Sequence, residues 1–194
     1  LRYAIPLPAD SLPYEAFQIV QTRDSVIWLG TTRGLMRHRP GTRTVDPVAL
    51  DQTMLRSPRA PVTDLLVDDR DHLWALFAEQ HIMRMAAGTR EQRYTEARGQ
   101  DAIGIAVLDE DRLIVAHRNA PPELVDRRTL ELRAMALPEV PPAAFAQIEG
   151  VVVQADGKPV LHAYGFGLTR LHDPGHNDRW TIDRTWRPYG RPAI

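Results

Sequence analysis

The 194-residue chain has no cysteine, which excludes disulfides, thiol nucleophiles and thiolate metal sites. Such a sequence fits an exported protein built without disulfides as readily as a cytosolic one. It also lacks an excess of positive charge: 24 Lys and Arg stand against 25 Asp and Glu, a net of −1. Nucleic-acid binders usually carry a clear basic surplus, so no nucleic-acid partner is expected. No apolar run approaches membrane-spanning length and no basic-then-apolar leader opens the chain, so this segment is not expected to contact a membrane. Serine is confined to Ser11, Ser25 and Ser57, none within a nucleophile-elbow pattern. No Gly-rich loop followed by Lys is present to cradle phosphates. No long window sustains the i, i+3, i+4 apolar stripe of a helix. What remains is 43% hydrophobic and 25% charged, an ordinary globular mix long enough for one large domain or two small ones. Opening at Leu1 without Met, it reads as a piece of a longer polypeptide.

The stretch "WLGTTRGLMRH" (28–38) breaks an apolar run at a Gly-ended polar tetrad and resumes at once as another. That is hairpin chemistry, because Gly accepts the positive φ of a tight turn. The pattern recurs. "FQIVQTRDSVIWLG" from Phe17, followed by "GLMR" (34–37), matches "VTDLLVDDRDHLWALF" from Val62, followed by "HIMR" (81–84). Both run apolar strand, acidic turn, strand with Trp, polar turn, then a strand containing Met-Arg; Trp28 and Trp74 lie 46 residues apart (74 − 28). A third copy, "GIAVLDEDRLIVA" from Gly104, puts Ile114 in the Trp position, 40 residues on. A fourth, "EGVVVQADGKPVLHA" from Glu149 with "GFGLTRL" (165–171), puts Leu161 there, 47 beyond Ile114.

Each copy closes with a fourth strand candidate, at 43–50, 90–97, 130–137 and 178–183. Four short strands per repeat of about 45 residues is the signature of a β-propeller blade. The expected fold is all-β, with four four-stranded antiparallel blades at 17–50, 62–97, 102–137 and 145–183. Residues 1–16 hold the outer strand of a preceding blade (1–7) and an inter-blade loop. Residues 184–194 form a tail or the start of a following blade. The stretch 1–8 aligns with 132–138, which is why it reads as the last strand of a blade cut away. Four blades cut from a larger ring leave two apolar faces open, and a homo-oligomer through those faces is expected.

The order apolar strand, D-x-D/G turn, "VIWLGTTRGLMR", with "HLWALFAEQHIMR" and "DGKPVLHAYGFGLTR" following at a regular period, resembles the two-component regulator propeller repeat. The third copy, "DRLIVAHRNAPPELV", lacks both Trp and the Gly-Leu step. The resemblance implies a non-catalytic sensor module, usually one part of a seven-bladed ring, in the periplasmic portion of a bacterial hybrid histidine kinase or related receptor. It further implies that a ligand signal passes to a membrane-linked output domain not contained in this sequence. Two rivals stand beside it: a complete four-bladed binding scaffold, and a propeller enzyme such as a lyase or glycosidase.

Among chemistry-bearing residues, Trp28 and Trp74 occupy equivalent mid-strand positions and are expected to be structural, filling the space between blades. The turns holding Asp24, Asp68–Asp71, Asp109–Asp111 and Asp156–Gly157 invite a calcium proposal, but none has the full loop with its downstream Glu. Asp and Gly suit such turns for their own reasons, so no metal is assigned. His172 and His176 flank Asp-Pro-Gly, a turn former with no third ligand adjacent. No cofactor is expected. The turns between second and third strands share one face of a propeller with the inter-blade loops. There Arg33, Glu79, His81, His117, Arg118, Tyr164 and Phe166 are the candidate ligand-binding residues, with Gln80 and Asn119 beside them. Polar groups mixed with aromatics suit a small polar ligand or carbohydrate.

Overall fold

The computed structural model describes residues 15–51, 53–55, 57, 59–89, 91–99, 101–137, 147–164, 167–173 and 179–186. The expected leading strand at 1–7, Phe166 and the tail beyond 186 lie outside them. Among the described residues there is no helix, and so none long and apolar enough to cross a membrane. The first sheet holds β1 (Ala16–Gln21), β2 (Ile27–Thr31), β3 (Gly34–His38) and β4 (Asp46–Pro47). The second holds β5 (Val62–Val67), β6 (His72–Phe77), β7 (His81–Ala86) and β8 (Gln92–Glu96). The third holds β9 (Ala102–Val107), β10 (Arg112–His117), β11 (Glu123–Asp126) and β12 (Leu132–Ala134). The fourth holds β13 (Ile148–Val153), β14 (Pro159–Ala163), β15 (Gly167–His172) and β16 (Thr181–Trp186). In every sheet the strands lie side by side in chain order, each antiparallel to the next. The outer strands differ most from expectation. β4 shrinks to two residues, and β16 runs three residues past 183.

The inner hairpins are built to one plan. The amide of Thr32, Ala78, Arg118 or Tyr164 donates to the carbonyl of Glu15, Pro61, Asp101 or Gln147, closing each hairpin over the same length. Successive hairpins are therefore offset by 46, 40 and 46 residues (78 − 32, 118 − 78, 164 − 118). The far ends are built alike as well. Asp24, Asp68, Asp109 and Asp156 each accept backbone N–H groups of their own turn through Oδ1. The carboxylate substitutes for a turn acceptor, which is why Asp recurs there. Ser25, Asp71 and Gly157 take the left-handed φ that the turn requires, at 64°, 63° and 76°. At the other end of the first blade, Gly34 has φ 103°, which resolves the break in "WLGTTRGLMRH" as a tight turn with its glycine at the start of β3.

The chain divides into two compact units at Glu96/Ala97, each with two sheets. In the first unit, the Trp28 face of the first sheet packs on the second sheet. Trp28 and Leu35 share a core with Val62, Leu65, Leu73, Ala75, Phe77 and Met83. The cross-strand row Val20–Trp28–Arg37 thus meets the row Leu65–Ala75–Met83. Approach is close enough that a Cβ on Gly30 would lie 2.9 Å from Val62 Cγ1 and 3.2 Å from Leu65 Cγ. Two polar clasps tie this joint. Arg23 N donates to Asp71 Oδ1 (2.9 Å), and Gln92 Nε2 donates to Ala49 O (2.7 Å).

In the second unit, the third sheet offers Ala106, Ile114 and Leu124 to Val151, Leu161 and Leu171 of the fourth. This corrects one position. Register places Val160, not Leu161, in the Trp slot, because Val160 pairs with Arg170 as Trp28 pairs with Arg37 and Trp74 with Arg84. Leu161 belongs to the opposite face, the one that receives Ile114. Both Trp rings of the first unit are buried with their N–H satisfied: Trp28 Nε1 donates to Thr22 Oγ1 (3.0 Å) and Trp74 Nε1 to Asp68 Oδ2 (2.9 Å).

Candidate functional site

The turns after the second strands lie at one end of their sheets, and the structure places the candidate residues there in two groups. In the first unit, Arg33 sits in the two-residue turn between β2 and β3, half-buried. Glu79 sits half-buried in the turn between β6 and β7, where Gln80 takes φ 71°. His81 opens β7 and is buried, with no hydrogen-bond partner for Nδ1.

In the second unit three loops are tied into one rim. The amide of Ile148 donates to Arg118 O (2.8 Å), that of Gln147 to Asn119 Oδ1 (3.2 Å), and that of Tyr164 to Gln147 O (2.9 Å). Arg118 N in turn donates to Asp101 O (3.0 Å). Asp101 and Gln147, the pivots of this rim, have φ of 56° and 55°, a conformation that ordinary L residues seldom adopt. The bonds bring Arg118, Asn119 and Tyr164 together, all exposed, Tyr164 at 71%. Arg118 and Tyr164 stand at the same hairpin position of consecutive blades, so both project from the rim for the same reason.

His117 is placed differently from its neighbours. It holds the last position of β10, where Thr31, Phe77 and Ala163 stand in the other blades, and all four are buried. Its imidazole, 0% exposed, donates from Nε2 to Glu123 Oε2 (3.1 Å) rather than facing solvent. Gly99 lies directly against the ring: a Cβ there would approach it to 2.7 Å. Glu123 also accepts the Arg98 amide at Oε2 (3.0 Å). Burial pushes the Glu123 carboxyl up. The His117 hydrogen bond, the charge of that imidazole and the Arg98 and Gly99 amides outweigh burial and hold it below its ordinary 4.5. The pair is a buried floor under the rim, fixing where β10 ends and Arg118 begins.

Sequence reasoning did not find Glu123, Asp101 or Gln147. A Glu opening a short strand looks like a surface residue, and only the fold-over of Arg98–Gly99 buries it. The signal available for the other two was the constant hairpin length, which points to positions 101 and 147 once the register is known. Phe166 lies outside the described residues. At the opposite end of the third sheet a depression is lined by Arg112, Asp126, Glu131, Leu132 and Arg133, with charges of both signs. Among the described residues no group of three or more His, Asp and Glu is placed to hold a metal ion.

No family model matches the chain, and no curated protein matches it. Solved structures do. The extracellular domain of hybrid two-component system BT4673 from B. thetaiotaomicron superposes with a TM-score of 0.63 at 16% identity, over 98% of this chain and 23% of that one. The corresponding domain of BT3049 gives 0.68 at 12%, over 92% of this chain and 25% of that one. The WD40 domain of Neurospora crassa Pan2 gives 0.64 at 14%, over 90% and 50%. The chain thus spans about a quarter of the length of the two-component structures it matches. What these proteins share with it is the repeated four-stranded sheet, and at such identities the likeness speaks for fold. The four sheets of this chain are β-propeller blades.

Proposed function

We propose that the chain is part of the ligand-sensing propeller of a two-component signalling receptor, working outside the cytoplasm and without catalysis. The observation that carries this is a likeness spanning nearly the whole chain to extracellular domains of hybrid two-component systems, with an exposed Tyr–Arg–Asn rim at one end of two blades. The Tyr164 ring offers a flat apolar face of the kind that stacks on a sugar ring. The Arg118 guanidinium supplies up to five donors, and the Asn119 side-chain N–H groups supply two more, its Oδ1 accepting the Gln147 amide. Few polar groups converging beside an aromatic suit a small polar ligand, carbohydrate by preference. In the first unit Arg33, Glu79 and His81 supply the corresponding turn positions.

The test is calorimetric titration of the chain with a panel of oligosaccharides and small polar metabolites. Saturable binding that weakens at least tenfold in both Tyr164→Ala and Arg118→Ala is the expected result. Binding indifferent to both substitutions would remove the rim from the reading. Turnover of the bound sugar in the same samples would replace a sensor by a glycosidase or lyase.

A further inference from the structure

The face of the third sheet that meets the fourth changes character toward its outer strands. Ile114 and Leu124 lie opposite each other across β10 and β11 and belong to the core. The same row continues to Arg133 in β12. Two residues along, on the same face, Arg112 lies opposite Asp126, whose amide donates to Glu131 O (2.9 Å) just ahead of β12. Four charged side chains, two of each sign, thus extend an apolar face. With Leu132 they line a depression of about 250 Å³.

Its walls are fixed by bonds of their own. Asp126 Oδ1 accepts the amides of Arg128 (2.8 Å) and Thr129 (2.7 Å), and the Leu130 amide donates to Asp126 O (2.9 Å), so the turn between β11 and β12 closes on this one residue. The Thr129 amide above all, with the Arg128 amide, the Thr129 hydroxyl and the Arg128 charge, outweighs burial and holds the Asp126 carboxyl below its ordinary 3.8. Arg112 is gripped by Asp109, its Nε donating to Oδ2 (2.7 Å) and its Nη2 to the same oxygen. Arg127, 2% exposed, donates from Nη1 to the carbonyls of Asp109 (2.9 Å) and Glu110 (2.8 Å), tying this turn to the one before β10.

The geometry points to a second binding site here, for the zwitterionic head of a free α-amino acid, its carboxylate toward the guanidinium groups of Arg112 and Arg133 and its ammonium toward the carboxylates of Asp126 and Glu131. A simple anion would meet two carboxylates at close quarters, and a simple cation two guanidinium groups. Only a ligand carrying both signs on neighbouring atoms is matched throughout. The depression is smaller than the roughly 300–1,000 Å³ of drug-sized sites, a scale that suits a molecule of this class. It lies at the opposite end of the third sheet from Arg118 and shares no residue with the rim, so it stands apart from the sensing function proposed there.

The experiment is an amide chemical-shift titration of the whole chain, by heteronuclear NMR, with alanine, glutamine and leucine. The N-acetyl derivative of each, which loses the positive charge, and the amide derivative, which loses the negative one, are titrated alongside. At least one free amino acid is expected to bind saturably and to move the Arg128 and Thr129 amides, with both its derivatives at least tenfold weaker. Glu131→Gln and Arg133→Gln replace exposed side chains and should keep the wild-type circular dichroism spectrum. Each should weaken the free amino acid at least tenfold. Glu131→Gln should also narrow the gap to the N-acetyl derivative, and Arg133→Gln the gap to the amide, a pairing that a general loss of structure would not produce. Failure of all three amino acids to bind saturably overturns the inference. So do derivatives that bind as well as their parents, or shifts confined to Arg118, Asn119 and Tyr164, which would give the amino acid to the rim instead.

Discussion

At the residue scale, the two equivalent tryptophans differ in what receives their N–H, and the difference is measurable. Trp28 donates to a hydroxyl, Trp74 to the buried Asp68 carboxylate, which also accepts His72 Nδ1–H (3.2 Å). Truncating either ring to Ala should cost about 3–5 kcal/mol through lost burial and the cavity left behind. Phe in their place keeps most of the packing and isolates the hydrogen bond. Trp74→Phe should then cost about 1.5–3 kcal/mol against about 0.5–1.5 kcal/mol for Trp28→Phe, read by urea denaturation, because a bond to a charged acceptor is the stronger. Equal losses would show that Asp68 is held by its other partners alone. Gly30→Ala should destabilise by about 1–3 kcal/mol, since its Cβ meets Val62 and Leu65 of the facing blade and not open space. Glu123 sets a pH dependence. Its carboxyl is held below the ordinary value in the fold, so its contribution is present above the unfolded value near 4.5 and disappears as pH falls through the folded one. Glu123→Gln should flatten the loss of unfolding free energy below about pH 4.5; an acid limb as steep as in wild type would place the titration elsewhere.

At the scale of the strand, protection follows burial. β6 and β10 each run five consecutive buried residues, with both faces covered, whereas β4 makes only two cross-strand pairs. Amide hydrogen exchange should be slowest in β6, β7 and β10 and fastest in β4 and β12; uniform protection across each blade would contradict that ranking. Strand length also explains what was legible in the sequence. The inner hairpins were plain because each joins two β-rich runs by a turn whose Asp and Gly have fixed geometric work. The outer strands fall within the spans expected at 43–50, 90–97 and 130–137, but their ends were not legible, because Asp46–Pro47 and Leu132–Ala134 are only two and three residues long and Gln92–Glu96 is mostly polar. The slip between Val160 and Leu161 has the same kind of cause. Val151, Val152 and Val153 are all apolar, so β13 shows no alternation to set the register, and only pairing with Arg170 decides it. The rim was half legible: Arg118 and Tyr164 followed from the period. His117 was mistaken for their companion because the hairpin position that buries it needs the register to be seen.

At the scale of the whole molecule, a chain of sixteen strands and no helix among its described residues should give a β-dominated far-ultraviolet spectrum; a helical spectrum would end the propeller reading. The changing residue in the Trp slot has a consequence for optical work. The chain has four tryptophans, of which Trp28 and Trp74 light the first two blades, while Trp180 and Trp186 light the fourth. Where the first two blades have an indole, the third has Ile114. It therefore has no emitter of its own, and Trp180, which packs in one core with Ile114, Leu124 and Met135, is the indole that reports on it. The emitters also differ in kind. Trp28, Trp74 and Trp180 are buried, while Trp186 lies beneath the guanidinium groups of Arg170 and Arg184, 5.9 and 5.1 Å from its ring centre. Fluorescence thus offers separate beacons for the two halves of the chain, and a single Ile114→Trp exchange would add one within the third blade itself.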